Sequence, residues 1–356
     1  MLGLIMAGGS GTRFWPRSRQ KHPKQLLKIF NEKTMIQNTV ERLQKIVPTD
    51  RLFIVSTQSQ IAEIKNQLPF LNDDNLIVEP RGKNTAPCIG LSALFMERVD
   101  PDGVMVVLPA DHLIENARLF LKSLKVGAKV AQEQGRLVTI GIEPTFPATG
   151  YGYIQFNEEV RKMNGIPVCK VKTFAEKPNL ATAKRFLKTG DFLWNSGIFV
   201  WKIKAILREI EEYLPHVYDG LMEIRKYIGT EKQDEVIKRV YCQIKSISID
   251  YGVMEHAKDV MVLRGSFGWN DLGSWDEVYK LLPKDKNKNV LLGKHIIKDG
   301  NGCFIDANDK LVAVVGLDNL IIVDTEDAIL ICDRKRAQDV KEIVDIAKRK
   351  KLSQYL

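Results

Sequence analysis

No apolar run in this chain of 356 residues approaches the roughly 20 positions that a bilayer-spanning helix needs. The amino terminus is equally unlike a secretory signal: Met1-Leu2-Gly3-Leu4-Ile5-Met6-Ala7 has no basic leader, and Gly8-Gly9 ends the apolar stretch, so a cytoplasmic setting without a membrane is expected. Cysteine is sparse. The five cysteines, Cys88, Cys169, Cys242, Cys303 and Cys332, are odd in number, far apart and form no C-x-x-C pair. That pattern argues against a disulfide framework and a thiolate zinc site, and leaves them as reduced, small apolar fillers. With hydrophobic residues at 44% and charged residues at 27%, disordered, collagen-like and coiled-coil readings also fall away.

What is present in excess is positive charge: 53 Lys and Arg against 44 Asp and Glu, a net +9. It is local. Residues 1–31 carry Arg13, Arg17, Arg19, Lys21, Lys24 and Lys28 with no acid, while Arg334 to Lys351 holds eight bases against three acids. These stretches, at +6 and +5, together exceed the net charge. The first sits beside a glycine-rich turn, where a phosphate-bearing small molecule is the economical partner. No aromatic-and-basic stripe or reading helix points to nucleic acid.

The length predicts two domains, or one large domain with an appendage. Leu2 to Ala7, Leu52 to Ser56, Asn75 to Glu79, Val104 to Pro109 and Leu137 to Ile142 read as buried strands, alternating with helical periods over Met35 to Ile46, Gln58 to Gln67, Ala86 to Val99 and Leu119 to Gln134. This rhythm predicts an α/β fold: a mixed, mostly parallel sheet covered on both faces, with ligands beyond the carboxyl ends of its strands. From Gly150 to Trp201 the pattern changes to alternation, which predicts added antiparallel strands. Helical stretches follow through Lys202 to Tyr213, Leu221 to Tyr227 and Glu231 to Val240, then a strand at Val260 to Gly265.

Lys284 to Asn289 is polar and reads as a linker. Beyond it Asp309, Asp318 and Asp327 recur at nine-residue spacing, each before a strand-like run, which predicts a small β-solenoid or β-roll. The tail from Ala337 places Val340, Ile343, Val344 and Ala347 on one helical face, as expected of a docked amphipathic helix with a solvated basic side.

Three features carry chemistry. Gly8-Gly9-Ser10-Gly11-Thr12-Arg13 follows the first strand, where glycines let a phosphate approach backbone N–H groups, and Lys24 adds a second cation. The turn fits neither G-x-x-x-x-G-K-[ST] nor G-x-G-x-x-G, because Phe14 stands where the last glycine would be. Asp111, ending Leu108-Pro109-Ala110-Asp111-His112, offers a hard oxygen ligand of the kind Mg²⁺ takes beside phosphates; a helix N-cap is the plain alternative. His112 reads as a structural histidine, since no second histidine stands at metal spacing. Finally Phe174-Ala175-Glu176-Lys177-Pro178, Trp194-Asn195-Ser196-Gly197-Ile198-Phe199 and Trp269-Asn270-Asp271-Leu272-Gly273-Ser274-Trp275 set acids, amides and a lysine beside aromatics, a set suited to sugar hydroxyls, a phosphate and a metal.

With Pro16, Pro23-Lys24-Gln25 and Arg81-Gly82-Lys83-Asn84-Thr85-Ala86-Pro87, these motifs resemble the sugar-nucleotide pyrophosphorylases, in the right order from about Leu2 to Arg336, and among them the branch that makes GDP-mannose. The resemblance implies a Rossmann-like nucleotidyltransferase domain over 1–285, a short β-helical region over 290–336 and a C-terminal amphipathic helix over 337–356. It implies an enzyme that joins GTP and α-D-mannose 1-phosphate to give GDP-mannose and pyrophosphate with Mg²⁺. Some members carry a further cupin-like isomerase domain, for which a chain ending at Leu356 is expected to leave no room. Carried over by residue, Gly8, Gly9, Ser10, Gly11, Thr12, Arg13 and Lys24 would hold the GTP phosphates, with Glu79 and Asn84 beside the base. Asp111 and Asp271 would hold Mg²⁺, Gly150, Glu176 and Asn195 would face the mannose, and Lys177 its phosphate. Ala175 stands where the family often has Val, a small apolar change. A homodimer is expected from the roll and tail. The alternatives are the same chemistry on another nucleotide and sugar pair, or a non-catalytic regulatory subunit that binds sugar nucleotides.

Overall fold

The computed structural model of the chain describes residues 1–9 and 11–356; Ser10 and the side chain of Glu158 lie outside the described residues. It divides into two units, one of Met1–Gly8, Thr39–Ile61 and Leu68–Asn270, the other of Gly9–Asn38, Ala62–Gln67 and Asp271–Leu356. To Asn270 the elements are β1 (Leu2–Met6), α1 (Met35–Gln44), β2 (Leu52–Thr57), α2 (Gln58–Gln67), β3 (Leu76–Glu79), α3 (Thr85–Val99), β4 (Val104–Pro109), β5 (Leu113–Ile114), α4 (Ala117–Gln134), β6 (Leu137–Ile142), β7 (Tyr153–Met163), β8 (Ile166–Ala175), α5 (Leu180–Thr189), β9 (Phe192–Lys202), α6 (Ile203–Tyr213), α7 (Pro215–Arg225), α8 (Gln233–Tyr241), β10 (Val260–Gly265) and β11 (Trp269–Asn270).

Nine of these strands make one sheet in the order β3-β2-β1-β4-β9-β6-β10-β8-β7. β1 to β4 pair in parallel, as do β6 and β10, while β9 lies antiparallel between β4 and β6 and β8 antiparallel beside β10. β7 is antiparallel to both β8 and β9, so only β8 and β9 oppose the common direction. The mostly parallel sheet expected from the alternating pattern is therefore present. The alternating segment supplies β7, β8 and β9, and β9 enters the middle of the sheet.

The continuous apolar runs of β2 and β4 reflect burial on both faces. Leu2, Leu4, Phe199 and Trp201 join one core cluster with Ile89 of α3, Ile206 of α6 and Leu221 of α7. Gly3, between the two leucines, opens onto Leu43 of α1, and Val200 packs onto Gly127 of α4. Because successive strand residues face opposite sides, α3, α6 and α7 cover one face and α1 and α4 the other. Each fully buried Leu or Phe contributes about 1.5–3 kcal/mol. Among the described residues no helix is long and apolar enough to cross a membrane.

The remaining elements are α9 (Trp275–Leu281), β12 (Val290–Leu292), β13 (His295–Lys298), β14 (Phe304–Asp306), β15 (Val312–Val315), β16 (Leu320–Asp324), β17 (Ile329–Asp333) and α10 (Val340–Arg349). They build the β-helical region, although its stacking period is not the nine-residue aspartate spacing. Val290 stacks on Phe304 and Phe304 on Ile321, while His295 stacks on Val312, all in parallel. β17 turns back antiparallel on β16. The core is Cys303, Ile305, Ala307, Val314 and Ile322. The three aspartates do different work: Asp318 accepts from the Asn301 N–H at 2.7 Å, Asp327 pairs with Arg19, and Asp309 accepts from Asn308. The expected linker is an ordered turn. Asp285 Oδ1 accepts from the N–H groups of Asn287 and Asn289 at 2.9 and 2.7 Å, and the buried Asn289 accepts from the Cys303 N–H at 2.9 Å. The tail is helical with Val340, Val344 and Ala347 buried, but Ile343 is exposed.

The basic amino-terminal segment belongs to this second unit, and its arginines are not all available to phosphate. Arg17 grips both oxygens of Asp306, at 2.5 Å each, and Arg19 pairs with Asp327 at 2.7 Å. The Trp15 indole donates to the Tyr355 carbonyl at 2.8 Å, and Phe14 packs on Trp275 with ring centroids 4.9 Å apart. Because the Asp306 side chain is only 10% exposed, removing its partner strands a largely desolvated carboxylate. Arg17→Ala is expected to lower stability by about 1–3 kcal/mol, read as a fall in thermal midpoint that Asp306→Asn in the same chain partly reverses.

Candidate active site

In the first unit the carboxyl ends of the parallel strands gather polar groups on one edge. Met6 is paired with Pro109, and the Ala110 N–H donates to the Met6 carbonyl at 3.0 Å. Gly8 and Asp111 each lie two residues beyond that pair, so they leave adjacent strands side by side. Glu79 ends β3, and β2 and β3 flank β1 on its other side. The strand order reverses at β1, the position where open α/β sheets form a ligand crevice.

Glu79 is buried at 3% exposure, and burial pushes its carboxyl above the usual range. Three donors restrain that rise: the Tyr241 hydroxyl, the Cys88 thiol and the Lys83 backbone N–H. The Tyr241 bond, from α8 to Glu79 Oε1, is short, and Tyr241 is itself fully buried. A Cβ on Gly8 would stand 3.2 Å from Glu79 Oε2, so the carboxylate lies under the start of the glycine turn. Asn84 caps α3 from a left-handed φ of 67°, its side chain accepting from the Thr85 N–H at 2.9 Å, and is exposed.

A second group forms around the ends of β8 and β9. Glu176 and Lys177 follow β8 and pair at 3.0 Å, with Lys177 held at φ 45°. Asn195, on β9, donates through Nδ2 to Asp250 Oδ1 at 2.6 Å and accepts through Oδ1 from the Gly197 N–H at 3.1 Å. Its own N–H donates to the Gly152 carbonyl at 2.8 Å. Gly150 is exposed with nothing near it; the glycine against the group is Gly152, where a Cβ would lie 2.3 Å from Glu176 Oε2 and 3.3 Å from Asn195 Cβ. A Cβ there would push the Glu176 carboxylate out of this position. Asp250 has its carboxyl pushed up to about 6, by burial first and then by the negative charge of Glu176. Sequence reasoning missed Gly152 and Asp250.

In the second unit Gly11 adopts φ 58°, and a Cβ on it would stand 2.5 Å from Lys24 Cβ, so the turn is closed onto that lysine. The buried Lys24 donates through Nζ to the Asp271 carbonyl at 2.5 Å, Gln25 Nε2 donates to the Gly9 carbonyl at 3.0 Å, and Ser18 Oγ to the Gly11 carbonyl at 2.7 Å. Gly9 is open, Thr12 begins a short turn, and Arg13 is exposed. Ser10 lies outside the described residues.

Asp111 is part-buried and does not cap α4, whose N-cap is Asn116, accepting from the Leu119 N–H at 3.0 Å. His112 Nδ1 accepts from the Trp269 indole at 3.1 Å, a structural use of the ring. β11 pairs with β5, Asn270 opposite Leu113, and Asp271 is the next residue in the chain. Among the described residues no three His, Cys, Asp or Glu side chains form a ready metal cage. Mg²⁺ does not need one, since it takes one or two carboxylates and fills its shell with water and phosphate oxygens. Asp111 in the first unit and Asp271 in the second are each a hard oxygen donor of the kind that ion takes.

Models of two families match the chain: nucleotidyl transferase over residues 2–288, and the MannoseP isomerase/GMP-like beta-helix domain over 293–346. Mannose-1-phosphate guanylyltransferases of Klebsiella pneumoniae and Escherichia coli are each 38% identical over 358 residues, covering all of this chain and 75% of their own length. Among solved structures, one described as a mannose-1-phosphate geranyltransferase from Thermus thermophilus is 32% identical with a TM-score of 0.86, covering 98% of this chain and 99% of its own.

Glu79 and Asp250 make distinct predictions. Tyr241→Phe removes the strongest donor to Glu79 without changing shape, and is expected to cost about 1.5–3 kcal/mol in chemical denaturation near neutral pH. The effect should shrink as pH falls and Glu79 is protonated. For Asp250, a carboxyl raised from 3.8 to about 6 on folding releases its proton more readily unfolded than folded. Its contribution to stability is therefore intact below pH 4 and lost as pH rises to 6. Relative to Asp250→Asn, the unaltered chain is expected to lose stability across that window in denaturation curves.

Proposed function

The chain belongs to the nucleotidyl transferase family as a relative of the mannose-1-phosphate guanylyltransferases, and from that premise we propose that it joins GTP to α-D-mannose 1-phosphate, releasing pyrophosphate and GDP-mannose. The observation that carries the reading is the division of the sheet edge into two chemistries. One side, Gly8 with Glu79, offers a close backbone approach and a fixed carboxylate acceptor; the other, Glu176, Lys177 and Asn195, offers hydroxyl partners and one ammonium. A guanine presents N–H donors that Glu79 can accept, and a sugar phosphate presents hydroxyls and an anion.

The reaction is an in-line attack by a phosphate oxygen of the sugar 1-phosphate on the α-phosphorus of GTP. An O–P bond forms, the bond to the β-phosphate bridging oxygen breaks, and the electron pair leaves on pyrophosphate. No side chain need remove a proton, because a phosphate monoester with second pKa near 6 is already largely dianionic at neutrality. The obstacle is the meeting of two anions, which alignment and fixed positive charge relieve. Lys177 would hold the sugar phosphate, the glycine turn would present N–H groups to the triphosphate, and Arg13 and Lys24 would receive charge on the departing pyrophosphate. Asp111 and Asp271 would hold Mg²⁺, which when bound neutralises phosphate charge and orients the α-phosphate.

In this reading catalysis belongs to residues 1–285, while the β-helical stretch 290–336 and the helix 337–356 support the loop segment, and the chain works in the cytoplasm as a homodimer, which sedimentation would test. Pyrophosphate release across four nucleoside triphosphates and three sugar 1-phosphates is expected to be highest for GTP with mannose 1-phosphate. A different best pair overturns the specificity, and no turnover with any pair leaves a binding subunit. Asp111→Asn and Asp271→Asn are each expected to reduce kcat by about 100-fold or more; near-normal turnover in both removes the metal assignment. Lys177→Ala should raise KM for the sugar phosphate well above any change for GTP.

A further inference from the structure

The group at the ends of β8 and β9 contains one acid that lies outside the motifs read from the sequence. Asp250 opens a wide helical turn, Asp250–Met254, closed by a hydrogen bond from the Glu255 N–H to the Asp250 carbonyl at 3.0 Å, five residues back. Turns of this width are uncommon and recur at functional sites. This one is pinned at its entry. Ile247 exchanges backbone bonds with Lys83 and Ala86, at 3.2 and 3.1 Å, and the Ile249 N–H donates to Thr85 Oγ1 at 2.8 Å. The turn is thus tied to the first residues of α3, directly after Asn84.

We propose that Asp250 is a sugar-recognition residue, accepting a hydrogen bond from a ring hydroxyl of the hexose while fixing the Asn195 amide toward the same ligand. The inference rests on the proposed reaction for its ligand and on the local geometry for its chemistry. Asn195 is locked at both ends of its amide, Oδ1 toward Gly197 and Nδ2 toward Asp250, so Asp250 decides which way that amide faces. The Asp250 carboxyl lies within the electrostatic reach of Glu176. Two neighbouring acids held partly out of water repel each other and any phosphate, and are costly unless hydrogen-bond donors meet them. Neutral hydroxyls are such donors. The acid pair therefore suits the polyol ring of a hexose 1-phosphate, while Lys177, beyond Glu176, suits its anionic end.

The test is Asp250→Asn, which keeps size and an amide-compatible partner for Asn195 but weakens the acceptor, assayed with mannose 1-phosphate and its 2-, 3-, 4- and 6-deoxy analogues. In the unaltered protein one deoxy analogue should lose about tenfold or more in kcat/KM. The variant should show a comparable loss with the parent sugar, indifference to that same deletion, a KM for GTP within about twofold of normal and a melting midpoint at pH 8 no lower than that of the unaltered protein. Equal losses for every analogue in variant and unaltered protein, or an unchanged KM for the sugar phosphate, would overturn the assignment. If the unaltered protein prefers another hexose 1-phosphate, the proposed substrate fails, and the same deoxy series on the preferred sugar decides Asp250 by itself.

Discussion

A sheet buried on both faces has few places to present polar groups, and that constraint organises the first unit. Both leucines of β1 face the α3 cluster while Gly3 between them opens onto α1, and Phe199, Val200 and Trp201 alternate likewise on β9. An unpaired polar side chain in those layers would cost several times what its hydrogen bond could return. The carboxyl ends of the strands are the exception, because there backbone N–H groups point outward and loops begin. Gly8, Glu79, Asp111 and Asn195 stand at those ends for that reason. β9 brings Asn195 to the edge only because it runs antiparallel, so the first half of that strand lies where its parallel neighbours finish.

Once acids are concentrated on an edge, their mutual repulsion has to be managed. Glu79 and Asp250 show two solutions. Glu79 sits among apolar residues and is met by a hydroxyl, a thiol and a backbone N–H, all from its own unit. These donors fix the carboxylate's direction as well as offsetting its desolvation. Asp250 is met by the Asn195 amide and a backbone N–H, and is faced by the negative charge of Glu176, which the positive charge of Lys177 offsets only in part. The first arrangement is closed and suited to presenting a rigid acceptor. The second is under electrostatic tension, which a ligand rich in donors relieves.

The short strands β1 to β4 and β6 were legible because burial on both faces writes itself as contiguous Val, Ile and Leu, and the carboxyl-edge position of Asp111 followed from the strand before it. The β-helical region was legible as a class but not in register. Nine-residue aspartate spacing marks turns, whereas the coils stack at intervals set by where the chain can return over Val290, Phe304 and Ile321. Lys284 to Asn289 looked like a linker because its composition is polar; its order comes from Asp285 and the buried Asn289 bonding the turn and the first coil. Tyr241 and Asp250 were invisible for a different reason. Their partners lie 162 and 55 residues away, and no local spacing encodes such a meeting. Gly152 and Gly150 are indistinguishable in sequence, and only the approach of Glu176 separates them.

The amino-terminal charge is the case where composition pointed in a useful direction but too broadly. Six bases with no acid looked like a single phosphate-binding patch, yet Arg17 and Arg19 are matched by Asp306 and Asp327 of the second unit. A bidentate guanidinium on a carboxylate with little exposure is geometrically demanding, and lysine could not replace it. Within that unit the β-helical region therefore acts as a counter-charge for the loop segment as well as a covering layer. With those two arginines held, and with Trp15 bonded to the Tyr355 carbonyl, the path of the chain through Gly11 is set. What remains exposed beside the glycine turn is Arg13, which forms no ion pair among the described residues and is thus the cation best able to follow an anion that arrives and leaves.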